Sequence, residues 1–256
     1  MKTLIFCDES NLEFFVEKTQ QLNCHFILAD NRTAALSLAH KLGINFSVQH
    51  SKNSCFYHEF NERISDFRAD WIFCSSYGRR IPESILKSAQ FGAVNFHGGL
   101  LPEWRGANIL NWVLIEGCKM TGVTAHWMTA EFDEGPIISK KFVSIAEDDT
   151  ARTLSAKLQL VSQKMFFDIL NDIISDVPLA SVPQNSFHAR YFKRRSPEDG
   201  LIDWSKSDYD IYNLIRALVS PWPGAFTMTS NGGKIYFRER VPLQDIPKLR
   251  AQYSST

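Results

Sequence analysis

Cysteine is scarce in this chain: Cys7, Cys24, Cys55, Cys74 and Cys118 are the only five in 256 residues. None belongs to a Cys-x-x-Cys pair and their number is odd, so a disulfide scaffold and a cysteine zinc site are both excluded. Several sit in apolar, strand-like runs, where a free thiol packs as a small hydrophobe, and this points to a reducing, cytoplasmic setting. Charge of one sign is also lacking. Basic and acidic residues number 28 each and the formal net charge is +0, and the basic run Lys193-Arg194-Arg195 is short, so the footprint that grips a nucleic-acid backbone is missing. No apolar run reaches the roughly 18 residues that a membrane span needs, and no charged n-region precedes an apolar signal stretch. His-Glu-x-x-His, Gly-x-Gly-x-x-Gly and Gly-Lys-Ser are absent as well, which removes the marks of a zinc hydrolase, a nicotinamide site and an ATPase. The seven histidines are scattered, and no metal site is expected.

What is present is a globular composition, 44% hydrophobic and 12% aromatic, with strand and helix signals in alternation. Strands are expected at Lys2–Cys7, Cys24–Ala29, Ile44–Val48, Trp71–Ser75 and Gly92–His97. Helices are expected between them, from Ser10, over Thr33–Leu42, Phe60–Phe67 and Pro82–Gln90. That order implies an α/β fold, a Rossmann-like, mainly parallel sheet with helices on both faces, whose ligand lies outside the carboxyl ends of the strands. A helix over Asn108–Gly117 with Trp112 and Leu114 inward precedes two further strands, Gly122–Met128 and Pro136–Ile145. The long helix Thr150–Ile174 carries an apolar stripe from Leu154 to Ile169 that reads as core. A proline-containing linker, Val177–Gln184, then separates a domain over 1–180 from a small subdomain over 185–256. The latter holds a helix at Tyr209–Val219 and a hairpin turning at Asn231-Gly232-Gly233, and the chain is expected to fray from Ala251 onward.

The chemistry concentrates at one strand end. In a strand, residues two apart share a face, so Asn95 and His97 project together while Val94 and Phe96 point the other way. An amide can donate to a developing oxyanion, and an imidazole can take the proton of an attacking amine. Asp133, in the turn Phe132-Asp133-Glu134-Gly135, is the candidate carboxylate to orient the ring. Singly, Asn-x-His is more often an ordinary hydrogen-bonded pair and Asp-x-Gly an ordinary turn.

Taken jointly the motifs are more specific. Asn95-Phe96-His97, Leu100-Leu101-Pro102-Glu103-Trp104-Arg105-Gly106, Gly122-Val123-Thr124 and Asp133-Glu134-Gly135 resemble, in order and spacing, the formyltransferase family that uses N10-formyltetrahydrofolate. Trp71–Pro82, Arg195–Trp204 and Ile215–Phe226 extend the resemblance over about residues 65 to 230. It implies that Asn95, His97 and Asp133 are catalytic. It also implies that Tyr77, Gly78, Arg79 and Ile81, with the turn at Asp133, hold the folate. Two departures, Gly98-Gly99 where the family often has Pro-Ser and Ile109 where it often has proline, leave the trio intact but alter the surroundings of the amine pocket.

Within that family the acceptor is a methionyl-tRNA, a ribonucleotide amine, a hydroxyornithine or a nucleotide-linked amino sugar. The absence of a sizeable basic tail argues against tRNA. The Arg195–Gly200 and Pro221–Phe226 segments resemble those of the tRNA and sugar enzymes and not the purine enzyme. The expectation is therefore a dTDP- or UDP-linked 4- or 3-amino dideoxyhexose destined for a surface polysaccharide, met by Trp104, Arg105, Lys193, Arg194 and Trp222. The partner is then a small-molecule nucleotide sugar, with no nucleic acid and no membrane, and a homodimer is left open. A formyltetrahydrofolate hydrolase and a non-catalytic folate-binding protein share the same motifs and stand as alternatives.

Overall fold

A computed structural model describes residues 1–30 and 32–253. The chain opens with β1 (Lys2–Cys7) and α1 (Glu9–Lys18), where Asp8 rather than Ser10 marks the helix start, its carboxylate accepting the Ser10 N–H at 3.2 Å. There follow β2 (Asn23–Ala29), α2 (Thr33–Leu42), β3 (Phe46–Gln49), α3 (Tyr57–Asp66), β4 (Trp71–Ser75), α4 (Glu83–Ser88) and β5 (Gly92–His97). Next come β6 (Arg105–Gly106), α5 (Ile109–Ile115), β7 (Met120–Trp127), β8 (Ile137–Ser144) and the long α6 (Ala151–Ile174). The remainder holds β9 (Tyr191–Phe192), α7 (Asp208–Ala217), a hairpin of β10 (Ala225–Met228) and β11 (Lys234–Phe237), and α8 (Ile246–Tyr253).

The expected α/β architecture is what forms: a seven-stranded sheet in the order β3-β2-β1-β4-β5-β7-β8. The first five of these strands run parallel, and β7 and β8 are antiparallel additions. Alternation along each strand feeds two cores. Ile5, Phe73, Val94 and Phe96 face α1 and α6, where Phe166 lies edge-on to Phe73, Phe96 and Phe15. Leu4, Phe6, Ile72 and Ala93 face Phe60, Ile64 and Ile85 of α3 and α4. Burial on both faces explains why these strands read as unbroken apolar runs.

Two expectations are corrected. Trp112 is not buried as Leu114 is: it packs half-buried against the core under the 191–195 segment, donating its indole N–H to the Lys193 carbonyl at 3.1 Å with Arg195 over its ring. Nor does the chain fray at Ala251, because helix continues to Tyr253, whose ring stacks on Trp204 at 5.8 Å. Arg250 adds an ion pair with Asp208. Residues 254–256 of that stretch lie outside the described residues.

The small C-terminal subdomain is tied to the sheet by a buried cation. Arg216 of α7, 1% exposed, donates to Asn213 Oδ1 and to the carbonyls of Ala146, Glu147 and Asp149 in the turn between β8 and α6. Replacing it with methionine keeps the stem but strips the Asp149 carbonyl and Asn213 Oδ1 of the guanidinium, while the Ala146 and Glu147 carbonyls keep only the Asp149 N–H and the Tyr212 hydroxyl. Arg216→Met is expected to lose roughly 3 kcal/mol, or roughly 6–12 °C in melting temperature at about 2–4 °C per kcal/mol for a chain of this size. A thermal scan showing a shift under about 2 °C would contradict this assignment of the guanidinium.

Candidate active site

β5 runs out at the carboxyl edge of the sheet, and its pleat decides what appears there. Val94 and Phe96 are spent on the α6 core, so Asn95 and His97 emerge together on the opposite face. β7 lies antiparallel beside β5, pairing Asn95 with His126 and His97 with Thr124. Thr124 staples the loop after β5, its hydroxyl donating to the Gly99 carbonyl at 2.7 Å and accepting the Leu101 N–H at 3.1 Å. Gly99 is confined by the site itself: a Cβ there would come 2.9 Å from His97 Nε2 and 3.0 Å from the Trp104 carbonyl.

Backbone carbonyls set the tautomers of two imidazoles. A carbonyl can only accept, so His97 Nε2, 2.6 Å from the Trp104 oxygen, carries a hydrogen, and Nδ1 faces Asp133 Oδ1 at 3.5 Å. His126 is held the other way round. Its Nδ1 donates to the Trp127 carbonyl at 2.8 Å, leaving Nε2 to accept one amide hydrogen of Asn95 at 3.1 Å. That fixes the amide plane and leaves the second Asn95 N–H unclaimed among the described residues. The sequence reading missed His126, since β7 looks like an ordinary strand; a histidine among its buried apolar residues was the available signal.

Asp133 completes the cluster from a turn with left-handed backbone, φ 56°. Its Oδ2 accepts the Gly106 N–H at 2.9 Å, and Oδ1 also looks at His126 Nε2 across 3.6 Å. Gly135 lets this turn fold back tightly, because a Cβ would sit 1.8 Å from the Trp127 carbonyl. Ser76 and Asn108, at φ 53° and 58°, share the left-handed conformation and line the same cleft. Three such non-glycine residues around one cavity gather backbone strain there, as candidate sites do.

Burial lowers the proton affinity of His97 below the usual 6.5, the Asp133 charge opposing this only in part. For Asp133 burial pushes upward, but His97, His126 and the Gly106 N–H outweigh it and bring the carboxyl to about 2. At neutral pH the pair is thus a carboxylate beside a neutral imidazole whose Nδ1 lone pair is available. A proton arriving there makes an imidazolium held between the Trp104 carbonyl and Asp133.

The cluster opens into a cleft of about 630 Å³. One wall is the loop after β4, with Tyr77, Gly78, Arg79 and Ile81. Tyr77 donates to Gln49 at 2.5 Å, Arg79 is ion-paired with Asp30, and the Gly78 carbonyl accepts from Arg194 at 3.1 Å. Across from it stand Ser155, Leu158 and Gln159 of α6 and Leu110 and Asn111 of α5. Of the five residues expected to meet the acceptor, Arg194 and Trp222 line the cleft, whereas Trp104, Arg105 and Lys193 do not. β6 pairs with β9 and carries its neighbours inside. Trp104 stacks on Phe192 at 4.7 Å, and Arg105, 5% exposed, is bonded to Gln184 and Glu134. Lys193 points outward toward Asp199 at 3.6 Å.

Comparison with known proteins gives a consistent picture. Residues 4–170 match the formyl transferase family, and residues 194–248 match the formyl transferase C-terminal domain. A 4-N formyltransferase from Francisella tularensis has a similar structure (TM-score 0.79, 18% identity, 94% of this chain and 98% of that one). So does an N-formyltransferase from Helicobacter canadensis, crystallised with folinic acid and dTDP-3-aminofucose (TM-score 0.65, 19% identity, 85% and 80%). A phosphoribosylglycinamide formyltransferase from Bacillus halodurans matches less of the chain (TM-score 0.59, 24% identity, 70% and 97%).

The electrostatics can be read directly. Histidine-selective ¹⁵N NMR, with His97→Gln to assign the ring, should give a His97 midpoint below 6.5. In Asp133→Asn the attraction that raises His97 is gone, so its midpoint should fall further. A midpoint that rises in the variant would mean the carboxylate does not act on this ring.

Proposed function

The chain belongs to the formyl transferase family, and on that premise we propose that it moves a formyl group from N10-formyltetrahydrofolate to the primary amine of a nucleotide-linked amino sugar. Formyl transfer from the folate is the family's chemistry. The proposed acceptor is dTDP- or UDP-linked, a 4- or 3-amino dideoxyhexose serving a surface polysaccharide. The observation that carries it is the joining of Asn95, His97 and Asp133 at the edge of a cleft of about 630 Å³, roomy enough for two ligands to meet. The donor's flat ring fits the wall of Gly78, Ile81, Leu86 and Met128, where apolar side chains adjoin exposed loop backbone. When bound, N10-formyltetrahydrofolate supplies an amide-like formyl carbon.

Attack by a neutral amine builds negative charge on the formyl oxygen and positive charge on the amine. Asn95 answers the first with the N–H that His126 leaves free. His97 answers the second by taking the amine proton at Nδ1, and Asp133 stabilises the resulting imidazolium across 3.5 Å. The same imidazolium can return that proton to the departing nitrogen. Arg194 and Trp222, with the polar side chains of α6, are proposed to receive the acceptor, while Tyr77, Gly78, Arg79 and Ile81 receive the donor. Trp104, Arg105 and Lys193, expected from sequence as acceptor contacts, stand outside the cleft lining.

Support for the sugar reading comes from the Helicobacter canadensis neighbour with its dTDP-aminosugar and from the balanced charge of this chain. The purified protein should formylate a dTDP- or UDP-linked amino dideoxyhexose, detected by mass spectrometry of the sugar, and leave methionyl-tRNA unmodified. Formylated tRNA without sugar product would overturn the acceptor assignment, and formate release without any acceptor would identify a hydrolase. Asn95→Ala should lose about 10²–10³-fold in kcat and His97→Ala about 10²–10⁴-fold.

A further inference from the structure

Residues 182–195 run as a strap along several of the loops that shape the site. Val182 bridges to Ile137, Arg105 N–H donates to the Arg190 carbonyl at 3.0 Å, and Ala107 N–H to the Phe192 carbonyl at 3.0 Å. Asn108 Oδ1 accepts the Arg195 N–H at 3.1 Å, and Arg194 reaches Gly78. Within this strap Gln184 touches the catalytic turn itself. Its Nε2 donates to the carbonyls of Asp133 at 2.7 Å and Gly135 at 2.8 Å. Its Oε1 accepts from Arg105 Nε and Nη2 at 3.1 and 2.8 Å, and the same guanidinium pairs with Glu134 at 3.0 Å.

We propose that Gln184 is a positioning residue for formyl transfer: with Arg105 behind it, its amide clamps the Asp133-Glu134-Gly135 turn and aims the Asp133 carboxylate at His97. Three consecutive residues of the turn are held by one amide and one guanidinium. Asp133 sits at φ 56°, a conformation an aspartate keeps only when its surroundings hold it there. Both amide hydrogens and the carbonyl oxygen of Gln184 are committed, so no smaller or differently charged side chain reproduces the set. Arg105, expected from sequence to touch the acceptor, thereby serves the reaction from behind the turn. The inference rests on the reading that Asp133 supports His97.

Two variants separate the parts of the clamp. Gln184→Ala removes it, and Gln184→Glu keeps an acceptor for Arg105 but sets carboxylate oxygen against two carbonyls. Both are expected to lower kcat about 100-fold, the cost of a misplacement on the order of 1 Å, with KM for donor and amino sugar within about 3-fold of native. In both, the NMR midpoint of His97 should fall as it does in Asp133→Asn, a readout that needs no substrate and that a merely structural role would not move. In an Asp133→Asn background, Gln184→Ala should add no further loss, since the two act as one unit. Native kcat and an unmoved His97 midpoint in folded Gln184→Glu, or a full multiplicative loss in the double variant, would overturn the proposal. Native behaviour of Asp133→Asn would instead remove the role given to Asp133. Should Gln184→Ala fail to fold, the nearly isosteric glutamate variant decides.

Discussion

A carboxylate taken out of water must be repaid by the groups around it, and the burial of Asp133 organises everything else at the sheet edge. Its side chain is 10% exposed yet ionised: the Gly106 N–H holds Oδ2, and the two imidazoles facing Oδ1 oppose its protonation once they carry charge. Each of those partners is placed by a different element. His97 comes from the end of β5, His126 from β7, and Gly106 from the short β6. The antiparallel pairing of β7 to β5 is therefore a condition of the chemistry, since it brings the His126 ring beside both Asn95 and the carboxylate.

Topology explains why the cleft opens here. The parallel strands all end at one edge, where loops are free of sheet hydrogen bonding and can present backbone groups. At that edge β5 sends Asn95 and His97 to the face lined by Tyr77, Ile81 and Met128, while α6 brings Ser155 and Gln159 from the other face. A cleft that straddles the edge can hold a flat donor on one side and an acceptor on the other, with the reacting atoms at the strand end between them. Geometry of this kind supplies orientation before any acid–base group acts.

Much of this could be read in the chain. The apolar runs of β1, β4 and β5 separated by helical periodicity are enough for a parallel sheet, and period-two alternation puts Asn95 and His97 side by side. Asp133 could be reached only through the joint pattern of motifs, because its turn is an ordinary one until β7 and β6 close around it. Side-chain type misled where burial was involved. Trp104 and Arg105 look like surface contacts for a nucleotide, but pairing of two-residue strands β6 and β9 draws them inside, and such short ladders have no periodicity to detect. Gln184 looked like linker for the same reason. Its importance lies wholly in what the folded chain carries past it.

The two site imidazoles show how little the residue type alone decides. His97 gives its Nε2 hydrogen to the Trp104 carbonyl and so keeps a basic Nδ1 toward Asp133. His126 gives its Nδ1 hydrogen to the Trp127 carbonyl and so keeps Nε2 for Asn95. Exchanging these carbonyl partners would exchange the tautomers, leaving Asn95 facing a donor and His97 without a lone pair toward the carboxylate. The proton transfer and oxyanion stabilisation proposed for this site would both be lost while every side chain remained in place. The division of labour thus resides in main-chain oxygens, held by the loop that Thr124 staples and by the turn into which Gly135 folds. Main-chain groups behind the cleft decide which nitrogen of each ring keeps its lone pair.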